Sequence, residues 1–174
     1  VGYLALNLNT TGTRNTAIGG SALDVNTTAD DNTAVGQGSL GSNTTGSSNT
    51  AVGRASLNAN TTGTRNTAVG TNALDANVTG NYNVALGYGS LGSNTASNNV
   101  AVGYDALTDN TTGSGNVAVG YQAANNITTS SNSVAMGYQA LYTCTTGGEN
   151  IAIGLQSLYS LTTASYNVAI GYDA

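Results

Sequence analysis

A glycine that recurs every 17 residues constrains this chain more than any other feature. It stands at Gly19, Gly36, Gly53, Gly70 and Gly87 and, after a single step of 16, at Gly103, Gly120, Gly137, Gly154 and Gly171, with a partial copy at Gly2. Each of these glycines sits in a unit like Asn116-Val117-Ala118-Val119-Gly120-Tyr121, and Ser133 is the one replacement of its Asn. A fixed period over a whole chain means stacked units, each contacting only its neighbours. Function must then be sought on a surface rather than in a pocket.

Numbered from its Asn, the repeat reads N-[TV]-A-[VI]-G-x-x-[AS]-L-x-x-N-T-T-G-x-x. Positions 2 and 4 are β-branched in most copies, as a strand prefers, and alternate with position 3. The expectation is that positions 2 and 4 point into the coil. Position 3 is Ala in all ten copies: Ala17, Ala34, Ala51, Ala68, Ala85, Ala101, Ala118, Ala135, Ala152 and Ala169. On an outward face, an Ala that never varies marks close approach of another surface, so these ten are the candidate subunit interface. Gly at position 5 ends the strand, and Leu at position 9 is the second core contributor.

Position 12 is Asn in Asn9, Asn26, Asn43, Asn60, Asn77, Asn94 and Asn110, then Ile127, Cys144 and Leu161. A site that exchanges Asn for Ile, Cys and Leu is internal, so the Asn copies should form an amide ladder, and Leu at Asn60 should be tolerated. Thr at positions 13 and 14 with Gly at 15 is turn chemistry. The expected architecture is all-β: a parallel β-solenoid of about ten 17-residue coils, each with two short strands around positions 1–5 and 7–12. At about 4.8 Å per coil it forms a rod on the order of 48 Å long. The 16-residue copy loses its residue within Thr95–Asn98, which marks an exposed turn. We read residues 1–174 as a single repeat domain, with partial repeats at 1–14 and 167–174, from a longer fibre.

Composition agrees with a thin core. Hydrophobic residues make up 39% and are mostly small, only 6% are charged, and Pro, His, Trp and Phe are absent. Gly, Asn, Thr and Val are weak helix formers, which excludes helical repeats of this length. The net charge of -5, with no Lys, argues against nucleic-acid and anionic-membrane partners. No apolar run is long enough for a membrane-spanning helix. Without His there is no Ser-His or Cys-His pair, and the carboxylates scatter over different repeat positions, so neither an enzyme nor a cofactor is expected. Asp30-Asp31 reads as a solvated turn rather than a calcium site, and Cys144 as an apolar filler.

The strings Asn-Thr-Ala-Val-Gly-x-x-Ala-Leu and Asn-Thr-Thr-Gly resemble repeats of phage tail fibres. The unit Ser133-Val134-Ala135-Met136-Gly137 is similar to the head repeats of trimeric autotransporter adhesins of the YadA kind. That resemblance implies a left-handed β-roll, packing as a homotrimer, and an extracellular, cell-surface or virion setting. The period of 17 is longer than that of the adhesin head.

Two surface rows carry the functional alternatives. Tyr88, Tyr104, Tyr121 and Tyr138 occupy position 6 in four consecutive coils, with Tyr3 and Tyr172 at the same position elsewhere. They form a candidate binding row for a glycan or protein receptor, or simply a stack that stabilises the coils. The regular Thr rows at positions 13 and 14 raise the alternative of an ice-binding solenoid. Seven Asn-x-Thr sequons, at Asn9, Asn26, Asn43, Asn60, Asn77, Asn110 and Asn126, echo the repeat and are discounted as glycosylation sites if position 12 is internal.

Overall fold

The computed structural model describes residues 2–174. Ten three-residue strands follow one another: β1 (Thr16–Ile18), β2 (Thr33–Val35), β3 (Thr50–Val52), β4 (Thr67–Val69), β5 (Val84–Leu86), β6 (Val100–Val102), β7 (Val117–Val119), β8 (Val134–Met136), β9 (Ile151–Ile153) and β10 (Val168–Ile170). They form one parallel sheet in sequence order. Position pairs with position throughout, as in Ala34↔Ala51 and Ala118↔Ala135. The 16-residue copy leaves this register unchanged, with Val84↔Val100. The parallel β-solenoid expected from the period is the fold.

Two expectations are corrected. The first concerns the second strand, which does not form. Positions 7 and 9 both adopt positive φ, as in Asn72 (56°) and Leu74 (54°), and a strand cannot continue through that conformation. The segment folds instead as two consecutive β-turns: Ala22 N–H donates to Gly19 O at 3.3 Å and Asn26 N–H to Leu23 O at 3.2 Å.

The second correction inverts the strand. From Ala34 to Ala152 every position-3 Ala is buried, most of them at 0% exposure, and Ala17 and Ala169 in the outer coils are half-buried. Positions 2 and 4 face outward, half-buried to exposed. The reason is the width of the coil. Each coil encloses one large apolar side chain, the position-9 Leu such as Leu57 or Leu91 (Ile127 where position 9 is Ala124), beside the buried side chains of positions 1 and 12, and the side chains opposite must be small. Ala at positions 3 and 8 fills the remainder; in Ser39, Ser56 and Ser90, position 8 carries a hydroxyl that donates to the position-5 carbonyl at 2.9–3.0 Å. Val at position 3 would overfill this core.

Candidate functional site

The interior is completed by two amide ladders, one expected and one not. At position 12, Asn43 Nδ2 donates to Asn26 Oδ1 at 3.0 Å, Asn60 to Asn43 at 2.8 Å and Asn77 to Asn60 at 3.0 Å. The position-1 Asn forms the second ladder: Asn32 Oδ1 accepts from Asn49 N–H at 2.9 Å, and Asn49 Oδ1 from Asn66 N–H at 2.9 Å. The two ladders meet at the position-15 carbonyl, where Gly46 O accepts from both Asn32 and Asn43 at 2.9 Å. The near-constancy of Asn at position 1 was the available signal. Where Ser133 replaces it, its Oγ accepts from Asn150 N–H at 3.2 Å and lies 3.2 Å from Ser130 Oγ. Asn26, Asn43, Asn60, Asn77 and Asn110 are fully buried, so these sequons are closed to glycosylation. Cys144 is buried on the same column, its thiol directed to Gly147 O at 3.2 Å and its pKa raised by burial.

Outside this frame lie three regular surfaces. The first is the outward strand face. Position 2 carries Thr16, Thr33, Thr50 and Thr67, and then Val or Ile from Val84 to Val168, so every row is β-branched. Position 4 is aliphatic or Met throughout, and Ile18 (49%), Leu86 (36%) and Met136 (41%) are exposed. No charged side chain interrupts either column. The ten Ala expected to form this face lie behind it, inside the coil. They are withdrawn as interface residues.

The second surface is the Tyr row. Successive rings of Tyr88, Tyr104, Tyr121 and Tyr138 stack with centroids 5.2, 5.3 and 5.2 Å apart and planes within 10° of parallel. The rings are 43–49% exposed. Their faces are turned to one another, so edges and hydroxyls are what the row presents to solvent. The Asp105 carboxylate beside Tyr104 raises that phenol's pKa. At position 7, directly after the Tyr row, Gln139 Nε2 donates to Gln122 Oε1 at 3.0 Å and Gln156 Nε2 to Gln139 Oε1 at 3.2 Å. A second stack, Tyr142 on Tyr159 at 5.3 Å, occupies position 10.

The third is the Thr surface at position 13, whose hydroxyls are committed to the fold. Thr27 donates to Thr44 O at 3.1 Å, Thr44 to Thr61 O at 3.1 Å and Thr111 to Thr128 O at 3.0 Å. By contrast, the hydroxyls of Thr28, Thr45 and Thr62 at position 14 and of Thr16, Thr33, Thr50 and Thr67 on the strand make no hydrogen bond among the described residues. Asp30 and Asp31 are also engaged, Asp30 with Thr13 N–H and hydroxyl at 2.6 and 2.8 Å, Asp31 with Arg14 at 2.5 Å.

The chain matches no protein-family model, no curated protein and no solved structure.

Proposed function

We propose that this chain is a segment of an extracellular fibre, of the phage tail-fibre or bacterial surface-adhesin type, acting as a stiff spacer and adhesive surface. In this reading it packs against copies of itself, as a homotrimer, through the outward strand face. The observation that carries the proposal is the pair of uncharged columns at positions 2 and 4. Ten in-register rows of β-branched and aliphatic side chains make an uncharged strip along the sheet, with Thr at position 2 in the first four rows and fully apolar from Val84 onward. Strips of that length are rarely left in water, and stiff β-branched rows interdigitate well with a second strip of the same kind. Stiffness follows from the backbone: hydrogen bonds such as Thr33 N–H to Asn49 O and Gly36 N–H to Ile18 O tie each coil to both neighbours.

The test is light scattering combined with circular dichroism. Lys at both Val102 and Val119 should yield a monomer with an unchanged β signal, because both side chains point out of the coil. Ala118→Leu, on the same strand but pointing inward, should lose the β signal itself. A double Lys variant that keeps the parent mass would remove this face as the interface.

A second reading, an ice-binding solenoid, is favoured by the unpartnered hydroxyls of Thr16, Thr33, Thr50 and Thr67 on the strand face, beside those of position 14, and no longer by position 13. Thermal hysteresis retained by the monomeric variant, and lost on substituting these Thr, would favour it over the fibre.

A further inference from the structure

The Tyr row at position 6 and the Gln ladder at position 7 are adjacent in sequence and share one periodicity. Four rings advance along the axis in steps of 5.2–5.3 Å. One residue further along the chain, Gln122 and Gln139 follow Tyr121 and Tyr138, Gln156 continues their ladder after Leu155, and Gly89 and Asp105 hold that position after Tyr88 and Tyr104. Each amide has two N–H groups, and the ladder uses one from Gln139 and one from Gln156, so further donors remain at every rung. The row thus offers a phenol hydroxyl and electropositive ring edge in all four coils, joined by amide N–H groups in the two coils of Tyr121-Gln122 and Tyr138-Gln139. A ligand that satisfies it must repeat hydroxyl and ether oxygens along a straight line at nearly the same step.

An extended β-1,4-linked hexopyranose chain has that form, since its rings advance in a nearly straight ribbon by almost this distance per sugar. Charge narrows the class. The three basic residues are Arg14, Arg54 and Arg65, all upstream of Tyr88, whereas Asp105, Asp109, Glu149 and Asp173 lie in the coils from Asp105 onward. Sulfated, sialylated and uronic-acid polymers would meet the Asp105 carboxylate beside Tyr104 and no cation between Tyr88 and Tyr138. We propose that the track formed by Tyr88, Tyr104, Tyr121, Tyr138, Gln122 and Gln139 binds a neutral β-1,4-linked polysaccharide laid parallel to the solenoid axis, about one sugar per coil. Individual contacts to a solvated sugar are weak, and the repeat converts them into avidity. The track goes beyond the spacer role and is independent of self-association, which light scattering reads separately.

The experiment is titration of the protein with cello-oligosaccharides and chito-oligosaccharides of two to six sugars, followed by calorimetry and by chemical shifts of the Tyr rings. Maltohexaose, whose α-linkage curves away from a straight line, serves as the control. Affinity should rise with length up to about four sugars and then level off, with maltohexaose inert. Which of the two series binds tells whether the 2-acetamido group is required. Tyr104→Ala with Tyr121→Ala should weaken the hexaose by about tenfold, one decade of Kd. Gln122→Ala with Gln139→Ala should do so with the Tyr stack still in place by near-ultraviolet dichroism. Absence of binding to both hexaoses, or binding that the Tyr pair does not affect, would overturn the proposal.

Discussion

Asn60 and Asn110 occupy the same repeat position, yet their side chains have different neighbours. Asn60 donates to Asn43 Oδ1 and to Gly63 O, and accepts from Asn77. Asn110 donates to Asn94 Oδ1 and Gly113 O, but its own Oδ1 is buried without a partner because the next coil offers Ile127. Leu at Asn60 orphans Asn43 Oδ1 and should cost about 1–3 kcal/mol. Leu at Asn110 removes an orphan, and Asn94 Oδ1 keeps its bond from Asn99 at 3.1 Å, so the cost should be smaller by about 1–2 kcal/mol. Urea unfolding of the two variants checks the order. Equal losses would mean that the ladder contributes nothing beyond volume. The expected tolerance at Asn60 treated position 12 as an apolar site with an optional amide, whereas Asn26, Asn43 and Asn60 are each bonded to two other amides of the column. Glycine is as tightly specified at position 5: at Gly53 an added Cβ would lie 2.6 Å from Gly70 O, and φ is +133°.

At the scale of one coil, the shortened copy is the place where the pattern is under tension. Its turn brings Asn94 Nδ2 to Ala96 O at 2.9 Å, and the Asn77 Oδ1 below is left unpaired. Inserting a Thr between Thr95 and Ala96 restores the 17-residue unit. Asn94 should then reach Asn77, raising stability by about 1–2 kcal/mol, read as a higher guanidinium midpoint with unchanged slope. An unchanged midpoint would mean that the short turn has compensating bonds of its own. The missing second strand belongs to this scale too. Leu at position 9 in the left-handed region is disfavoured by roughly 1–2 kcal/mol per residue, so local preference alone gave no hint of Leu57 at φ 52° or Leu91 at φ 52°. Burial of that Leu, repeated from coil to coil, selects the turn.

For the whole rod, few ionisable groups depend on the fold, and those that do oppose one another. The Thr13 backbone N–H and hydroxyl lower the pKa of Asp30, and the Arg14 guanidinium lowers that of Asp31, below the ordinary 3.8. Their contribution is present above that value and lost as pH falls through the lowered pKa values. Burial raises Asp75 and Asp105 above 3.8; their sign is reversed, with stability greatest below 3.8 and declining as pH rises through the raised values. The thermal midpoint should therefore be flat from neutral pH down to about pH 5 and change little in the acid range. Calorimetry showing a steep loss between pH 7 and 5 would point to carboxylates coupled across coils or chains.

The 17-residue period by itself determined the parallel stacking, the register of equivalent positions, the buried Leu and the internal Asn at position 12, because each follows from what a repeated coil must share with its neighbours. Which way the strand faces was decided only in the folded coil. Alternation states that Val117 and Val119 lie opposite Ala118, but not which side is inside, and hydrophobicity favours the wrong answer. A clue was present, since position 2 exchanges Thr for Val freely, as a surface does, while position 3 never departs from Ala. What settles it is the narrow lumen left by seventeen residues, filled by one Leu, the amides of positions 1 and 12 and the methyl of Ala, which turns the larger Val side chains outward and makes them the surface available to a partner.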